Sequence, residues 1–268
     1  MSKRLNVLTV CYTLFLVMLL GSATFSGILS EVVYYLGFII PIAIALISCH
    51  GEEGDPKKYL TIDRDGIMLS WPLVFPTISL TILLSYLTSL LIFSITGQTN
   101  SVDLGDSYIL ALITHAIAPA IFEEALFRYV PMRLLAPYSK RGAIFISAFF
   151  FSLVHLDFFT IPYAFIGGLI FMAIDLATES VIPSVVIHLI NNALSVSMFF
   201  APYEHVMILT YIWLGMLTLV SVLAIFRERD SYLLELFMLN DKGEGARFTV
   251  GMLFFALLTL TVAAVNLL

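Results

Sequence analysis

Apolar residues run along this chain in stretches of about 20, the length at which an α-helix crosses the hydrocarbon core of a bilayer. Windows of that size place candidate spans near residues 5–28, 31–48, 68–96, 108–135, 143–160, 161–178, 181–200, 206–226 and 248–268. The third and fourth exceed what a bilayer requires, which predicts tilt or an extension beyond it. Only the stretch from Asp157 to Pro162 separates the fifth span from the sixth. The first run follows Lys3 and Arg4, but it is long for a signal h-region and no small-x-small cleavage site ends it. It reads as a retained helix. The pattern therefore predicts an all-α fold, a polytopic integral membrane bundle of eight or nine transmembrane helices. A single transmembrane domain over 1–268 is expected, with no soluble domain attached. The segment 227–247 mixes charges with an apolar stripe and reads as a short interfacial helix or a solvated connector.

Three polar patches interrupt the apolar pattern: E-E-A-L-F-R at 123–128, F-S-L-V-H at 151–155 and H-L-I-N-N at 188–192. A charged side chain near the centre of a membrane helix costs roughly 2.5–3.5 kcal/mol on insertion scales. Glu123 and Glu124 are adjacent, so they point about 100° apart. Glu124 and Arg128 are four apart, a spacing at which helix side chains meet. One carboxylate is thus expected to pair with the guanidinium while the other faces a neighbouring space. Pro119 leaves the carbonyl of His115 without its usual donor and predicts a kink. His188 and Asn192 share a helix face, as do Phe151 and His155. Counted from the inner helix ends at about 1.5 Å per residue, Glu123, His155, His188 and Asn192 lie roughly 15, 20, 8 and 14 Å deep. Three helices therefore aim polar groups at one region, expected to be a cavity mostly in the inner leaflet.

Composition agrees with this solvent. The chain has 268 residues, is 60% hydrophobic and 12% charged, and has a mean hydropathy of +1.01. Soluble domains carry about 25% charged residues. The net charge of −6, with no basic stripe, argues against a nucleic-acid partner. Cys11 and Cys49 suggest neither a disulfide framework nor a metal site. All 13 Lys and Arg residues fall in or beside segments on one side of the membrane if the chain crosses nine times. By the positive-inside rule that side, with the N-terminus, is cytosolic.

The residue types define a chemistry. A carboxylate can take a proton from water, and a histidine can share that work. A second imidazole and an amide N–H can donate to an oxyanion as a peptide carbonyl becomes tetrahedral. No serine lies in a G-x-S-x-G context. Two His and a carboxylate also match a zinc site in type, but H-E-x-x-H is absent. No cofactor is called for, with zinc the alternative. A proton-coupled channel would need polar residues through both halves of the membrane, and the outer half reads as apolar. His115 reads as a satisfied core histidine. Asp157 marks a loop, Asp175 and Glu179 reach water or cap a helix, and Gly167 and Gly168 serve close helix packing.

In this order and on separate membrane helices, E-E-x-x-x-R, F-x-x-x-H and H-x-x-x-N resemble the motifs of the type II CAAX prenyl proteases. That group contains the Ras-converting endopeptidases, within the CAAX protease and bacteriocin-processing family. The resemblance covers about 108–200, the motif-bearing core. It implies an intramembrane glutamate endopeptidase that removes the last three residues after a prenylated cysteine in C-a-a-X proteins. Glu123 would activate water with help from His155, while His188 and Asn192 would form the oxyanion site. Glu124, Arg128 and Phe151 would be supporting residues. The implied partners are a prenylated C-a-a-X tail and membrane lipid, with the site opening to the cytosol. A prokaryotic cell membrane is expected, or the endoplasmic reticulum in a eukaryote. A non-catalytic immunity or scaffold member of the same family is the alternative reading.

Overall fold

The computed structural model describes residues 2–48, 57–99, 103–201, 204–227 and 249–267. Cys49 and, beyond Arg227, the expected helix over 227–247 lie outside these residues. Among the described residues nine helices follow in order: α1 Ser2–Ser22, α2 Ile28–Ser48, α3 Arg64–Thr96, α4 Tyr108–Leu134, α5 Lys140–Leu153, α6 Ile161–Thr178, α7 Ile182–Phe199, α8 Glu204–Arg227 and α9 Val250–Leu267. No strand occurs among the described residues. Seven of the helices, all but α5 and α9, are long and apolar enough to cross a membrane. The protein is thus a polytopic helical membrane protein. Its exposed surface carries the apolar side chains that lipid would cover, such as Leu83, Leu91, Trp213, Leu219 and Leu257.

The fifth expected span is corrected. With 14 residues α5 is about 21 Å long, and it stops at Leu153 rather than running on to 160. The physical cause is in the loop. Asp157 accepts hydrogen bonds from the Phe159 N–H at 3.0 Å and the Thr160 hydroxyl at 2.7 Å, forming the turn that leads into α6. Pro162 then occupies a first-turn position, where a missing N–H costs nothing. Leu156, with φ of 54°, takes the left-handed backbone that reverses the chain.

α4 is one helix with two π-helical stretches, Ile113–Ile117 and Ala125–Tyr129. Each ends two residues before a proline, Pro119 and Pro131. Widening the turn lets Ala118 N–H reach Ile113 O and Val130 N–H reach Ala125 O. The expected defect at Pro119 is therefore a π-bulge, a feature frequent at functional sites. The tandem acids sit in the α-helical interval between the two bulges.

The bundle has two chemically different ends. Arg4 donates to the Arg133 carbonyl at 3.5 Å, Val181 N–H to the Tyr59 carbonyl at 3.0 Å, and Thr9 meets Thr249 at 2.8 Å. These contacts gather the start of α1, α7 and α9 with the end of α4 at the end that carries Arg64, Lys140 and Arg141. At the other end Tyr108 meets Ser197 at 3.0 Å, and Asn266 donates to the Leu156 carbonyl at 3.0 Å. The loops there contain no Lys or Arg.

Two apolar clusters hold the helices together. The larger joins α1, α2, α4, α5, α6 and α9 through ring contacts, Tyr12 stacked on Phe127 at 5.2 Å and tilted pairs of Tyr12 with Phe150 at 4.9 Å and Phe15 with Phe38 at 4.5 Å. The smaller joins α3, α6, α7 and α8 around Ile78, Phe171, Ile174 and Ile187. α5 and α6 close on each other at Gly168, where a Cβ would lie 3.0 Å from Ala148 Cα and 3.3 Å from the Phe151 ring. The glycine pair thus serves packing. Gly168→Val is expected to lower stability in detergent by about 1–3 kcal/mol through overpacking. Gly215→Ala, in open space on α8, should leave the thermal midpoint nearly unchanged.

Candidate active site

The three motifs converge where the two apolar clusters meet. On α4, Glu124 and Arg128 are completely buried, and Arg128 Nε lies 3.2 Å from Glu124 Oε2. The other Glu124 oxygen, Oε1, accepts a hydrogen bond from His188 Nδ1 at 2.7 Å. A carboxylate can only accept, so the proton is assigned to Nδ1. His188 Nε2 then faces Glu123, 3.9 Å from Oε2. That is too long for a hydrogen bond and suits a bridging water. The result is a polar chain, Arg128–Glu124–His188–Glu123, in which one ring stands between two adjacent carboxylates.

The expected division of labour on α4 is corrected in one respect. Glu124 pairs with Arg128 as its spacing predicts, but it does not merely support the helix. It also holds His188, which the resemblance assigned to the oxyanion site. Helix periodicity separates the two acids by about 100°, and a ring from α7 fills that angle.

Rings and hydroxyls fix the cluster from the other helices. The Arg128 guanidinium lies 4.2 Å from the Phe151 ring centroid and 5.6 Å from that of Phe171. Desolvated cation–π contacts of this kind are worth about 2 kcal/mol. Phe151 presents its edge to His188 at 6.0 Å and to His155 at 5.1 Å. Arg128 Nη1 also donates to Ser147 Oγ at 3.4 Å, and Ser147 donates to the Phe127 carbonyl. Ser147, Phe151 and His155 thus follow at intervals of four along one side of α5 and its continuation. Because α5 ends at Leu153, the Phe151 carbonyl loses its helical partner: His155 N–H turns to Ser152 instead. The His155 ring takes that place, with Nδ1 donating to Phe151 O at 2.9 Å. Among the described residues its Nε2 has no hydrogen-bond partner.

α7 is set by a second buried acid. Asp175, at the end of α6, accepts from Ser184 N–H at 3.1 Å and Ser184 Oγ at 2.6 Å. It therefore caps α7, as one of its two expected roles, and it is fully buried rather than reaching water. Ser184 lies one turn before His188, so this cap fixes the rotation that presents the imidazole to Glu124. Further along α7, Asn191 Oδ1 accepts from Thr81 of α3 at 3.1 Å, and Asn191 Nδ2 donates to Asn192 Oδ1 at 3.2 Å. Among the described residues the Asn192 amide N–H groups have no hydrogen-bond acceptor.

Glu123, His155, His188 and Asn192 all line one cavity of about 1130 Å³. Glu123, His188 and the Glu124–Arg128 pair touch or nearly touch. His155 joins them through the Phe151 ring, and Asn192 borders the same space. Among the described residues, no group of three or more His, Cys, Asp or Glu is placed to hold a metal ion. α2 packs on α1 and α4, whereas α3 packs on α6, α7 and α8, and the cavity occupies the division between these groups.

The location of that space differs from expectation. It is not confined to the half nearer the basic end. From Glu123 and His188 it runs past Thr81, Ser85, Tyr163 and Ser195 to Ser30, Leu104, Leu110 and Phe199 at the Lys- and Arg-free end. The outer half is accordingly not apolar. His115 is exposed to the cavity rather than buried, its Nδ1 bonded to Thr114 Oγ1 at 2.8 Å. The hydroxyls were visible in the sequence as Thr81, Ser85 and Ser89 at intervals of four on α3. Their near-neutral hydropathy hides them in a span pattern.

A membrane bundle with paired carboxylates, two histidines and an amide around one cavity defines a candidate intramembrane hydrolase site. Residues 105–194, which hold α4 to α7 and all three motifs, match the family model described as type II CAAX prenyl endopeptidase Rce1-like. The match agrees with the resemblance read from the motifs. No curated protein and no solved structure matches the chain.

Removing Arg128 leaves Glu124 charged and buried without its cation. Arg128→Leu is expected to destabilise the bundle by about 3–5 kcal/mol. Glu124→Gln combined with Arg128→Leu should recover much of that loss in a denaturation series in micelles. Equal loss in the single and double variants would contradict the pairing.

Proposed function

We propose that the protein is an intramembrane endopeptidase in which Glu123 activates water. The observation that carries this reading is the 3.9 Å gap between Glu123 Oε2 and His188 Nε2 at the wall of a cavity large enough for a peptide. Glu123 Oε2 is buried and has no hydrogen-bond partner among the described residues, so a water in the gap would be its natural donor. Such a water contacts two acceptors when His188 is the Nδ1–H tautomer. Glu123 takes one proton as the oxygen attacks the peptide carbonyl, and a tetrahedral intermediate forms. The Asn192 amide N–H groups stabilise the oxyanion, and His155 Nε2 borders the same space. The proton held by Glu123 then passes to the leaving amine, directly or through His188, and the C–N bond breaks.

Glu124 acts on this chemistry through His188, as the third member of a triad orients its base. It is a positioning residue, and so is Arg128. The substrate class that fits is a peptide joined to a hydrophobic anchor, because the cavity combines a polar wall with a surrounding lipid phase. The match to the Rce1-like family makes a prenylated C-a-a-X tail the first substrate to try, with release of its last three residues. No metal takes part in this scheme.

The test is cleavage of a farnesyl-cysteine C-a-a-X peptide by purified protein in lipid. Glu123→Gln and Glu123→Ala should reduce turnover by about 10²–10⁴-fold, with unchanged thermal stability. Activity should survive a strong zinc chelator. Loss with the chelator and recovery with zinc would replace water activation by Glu123 with a metal site. A well-folded protein that cleaves no lipid-anchored peptide would move the assignment to the non-catalytic branch of the family.

A further inference from the structure

The Asn192 amide is held by a hydrogen-bond relay that begins on a helix outside the three motifs. Thr81, buried on α3, donates to Asn191 Oδ1 at 3.1 Å, and Asn191 Nδ2 donates to Asn192 Oδ1 at 3.2 Å. Each step fixes the next. An Asn191 that accepts from Thr81 through its oxygen turns its nitrogen to Asn192. Asn192 then uses its own oxygen on Asn191 and keeps its N–H groups for the cavity that it lines. Thr81 lies outside residues 105–194, and Asn191 falls at an unspecified place in H-x-x-x-N.

One hydroxyl proton sets the direction of this relay. Thr81 Oγ1 also lies 2.9 Å from the Ile78 carbonyl, and it has a single proton to give. If the proton goes to Ile78, the Thr81 oxygen becomes an acceptor and Asn191 must reverse its amide to donate to it. The Asn191 oxygen then takes an N–H from Asn192, and the Asn192 oxygen turns to the cavity, where it would repel an oxyanion. Two observations favour the first direction. Ile78 lies inside α3, where its carbonyl already has a helical partner. Glu31 and Glu123 line the cavity and no Lys or Arg does among the described residues, so the field there favours an inward N–H over an inward C=O. Close packing keeps the hydroxyl in place: a Cβ at Gly167 would lie 3.1 Å from Thr81 Cγ2, so α6 holds the methyl while the hydroxyl faces α7.

We propose that Thr81 and Asn191 are positioning residues for the oxyanion site, which act through Asn192 by aiming its N–H groups at the reacting carbonyl. The inference rests on the peptidase reading for its catalytic consequence, whereas the direction of the amide stands on the hydrogen bonds. The carbonyl oxygen gains its negative charge only in the transition state. A donor aimed there speeds the chemical step with little effect on substrate binding.

The experiment compares Thr81→Val with Thr81→Ser in the full chain in lipid, with the farnesyl-cysteine C-a-a-X peptide as substrate. Valine keeps the shape of threonine without the hydroxyl, and serine keeps the hydroxyl without the methyl. Removing an oxyanion donor costs about 10²–10³-fold in kcat, and misdirecting one should cost less, about tenfold. Thr81→Val should therefore lower kcat by that factor at nearly constant KM, and Thr81→Ser should stay close to native. Asn191→Leu should match Thr81→Val, and it reports on the relay if that variant fails to fold. In an Asn192→Ala background Thr81→Val should have no further effect, because the residue through which it acts is gone. Loss in Thr81→Ser with native turnover in Thr81→Val would assign Thr81 to packing and overturn the proposal, as would additive losses in the double variant. Side-chain amide signals of the ¹⁵N-asparagine-labelled protein read the relay without turnover, those of Asn192 being identified by their absence in Asn192→Ala. They should move in Thr81→Val and stay in place in Thr81→Ser. That response in a chain that cleaves no peptide would uphold the relay and refute the peptidase reading. Unmoved signals and native turnover in Thr81→Val would overturn the relay.

Discussion

A carboxylate that cannot move organises this protein. Glu124 is fully buried and holds the Arg128 guanidinium with one oxygen and the His188 imidazole with the other. Placing those charges in a bilayer is expensive, and breaking any one of the contacts leaves a buried ionic group without compensation. The surrounding fold follows from meeting that demand. Phe151 and Phe171 stack beside the guanidinium, Ser147 accepts from it, and Asp175 caps α7 so that His188 arrives at the correct angle. The same fixed ring leaves one nitrogen opposite Glu123, where the cavity begins. Stability and chemistry thus share a single set of contacts.

The two π-bulges of α4 contribute to this geometry. A regular helix with Pro119 and Pro131 would leave carbonyls unpaired in lipid, where no water replaces a lost bond. Widening the turn ahead of each proline keeps the backbone paired. Glu123 and Glu124 sit in the straight interval between the bulges, close to the packing of α4 against α7. α5 shows the complementary device. Its early end frees the Phe151 carbonyl, and His155 satisfies it with a ring nitrogen, so the histidine is held at the cavity wall by the way the helix stops.

Much of this was legible in the sequence. The nine helices appear as apolar runs because lipid enforces length and composition, and Glu123, Glu124, Arg128, His155, His188 and Asn192 stand out because ionisable and amide groups are rare in such runs. Pair spacing foretold the Glu124–Arg128 contact, which is local to one turn. The Glu124–His188 contact was not legible, since it joins helices 64 residues apart and depends on the rotation of α7. The end of α5 escaped notice because Val154, His155 and Leu156 continue the apolar pattern while Asp157 redirects the backbone. The reach of the cavity escaped notice because hydroxyls such as Ser85 and Ser89 scarcely change hydropathy, although their spacing of four marks one helix face.

The proton position on His188 decides what faces Glu123. Nitrogen NMR of the ¹⁵N-histidine-labelled protein in lipid reads that assignment directly, with the His188 signals identified by their loss in His188→Gln. A protonated Nδ1 in a strong hydrogen bond is expected in the native chain, and the loss of that bond in Glu124→Ala. An unprotonated Nδ1 with the proton on Nε2 would contradict it, because Glu124 would then neither orient the ring nor leave Nε2 free to meet water beside Glu123.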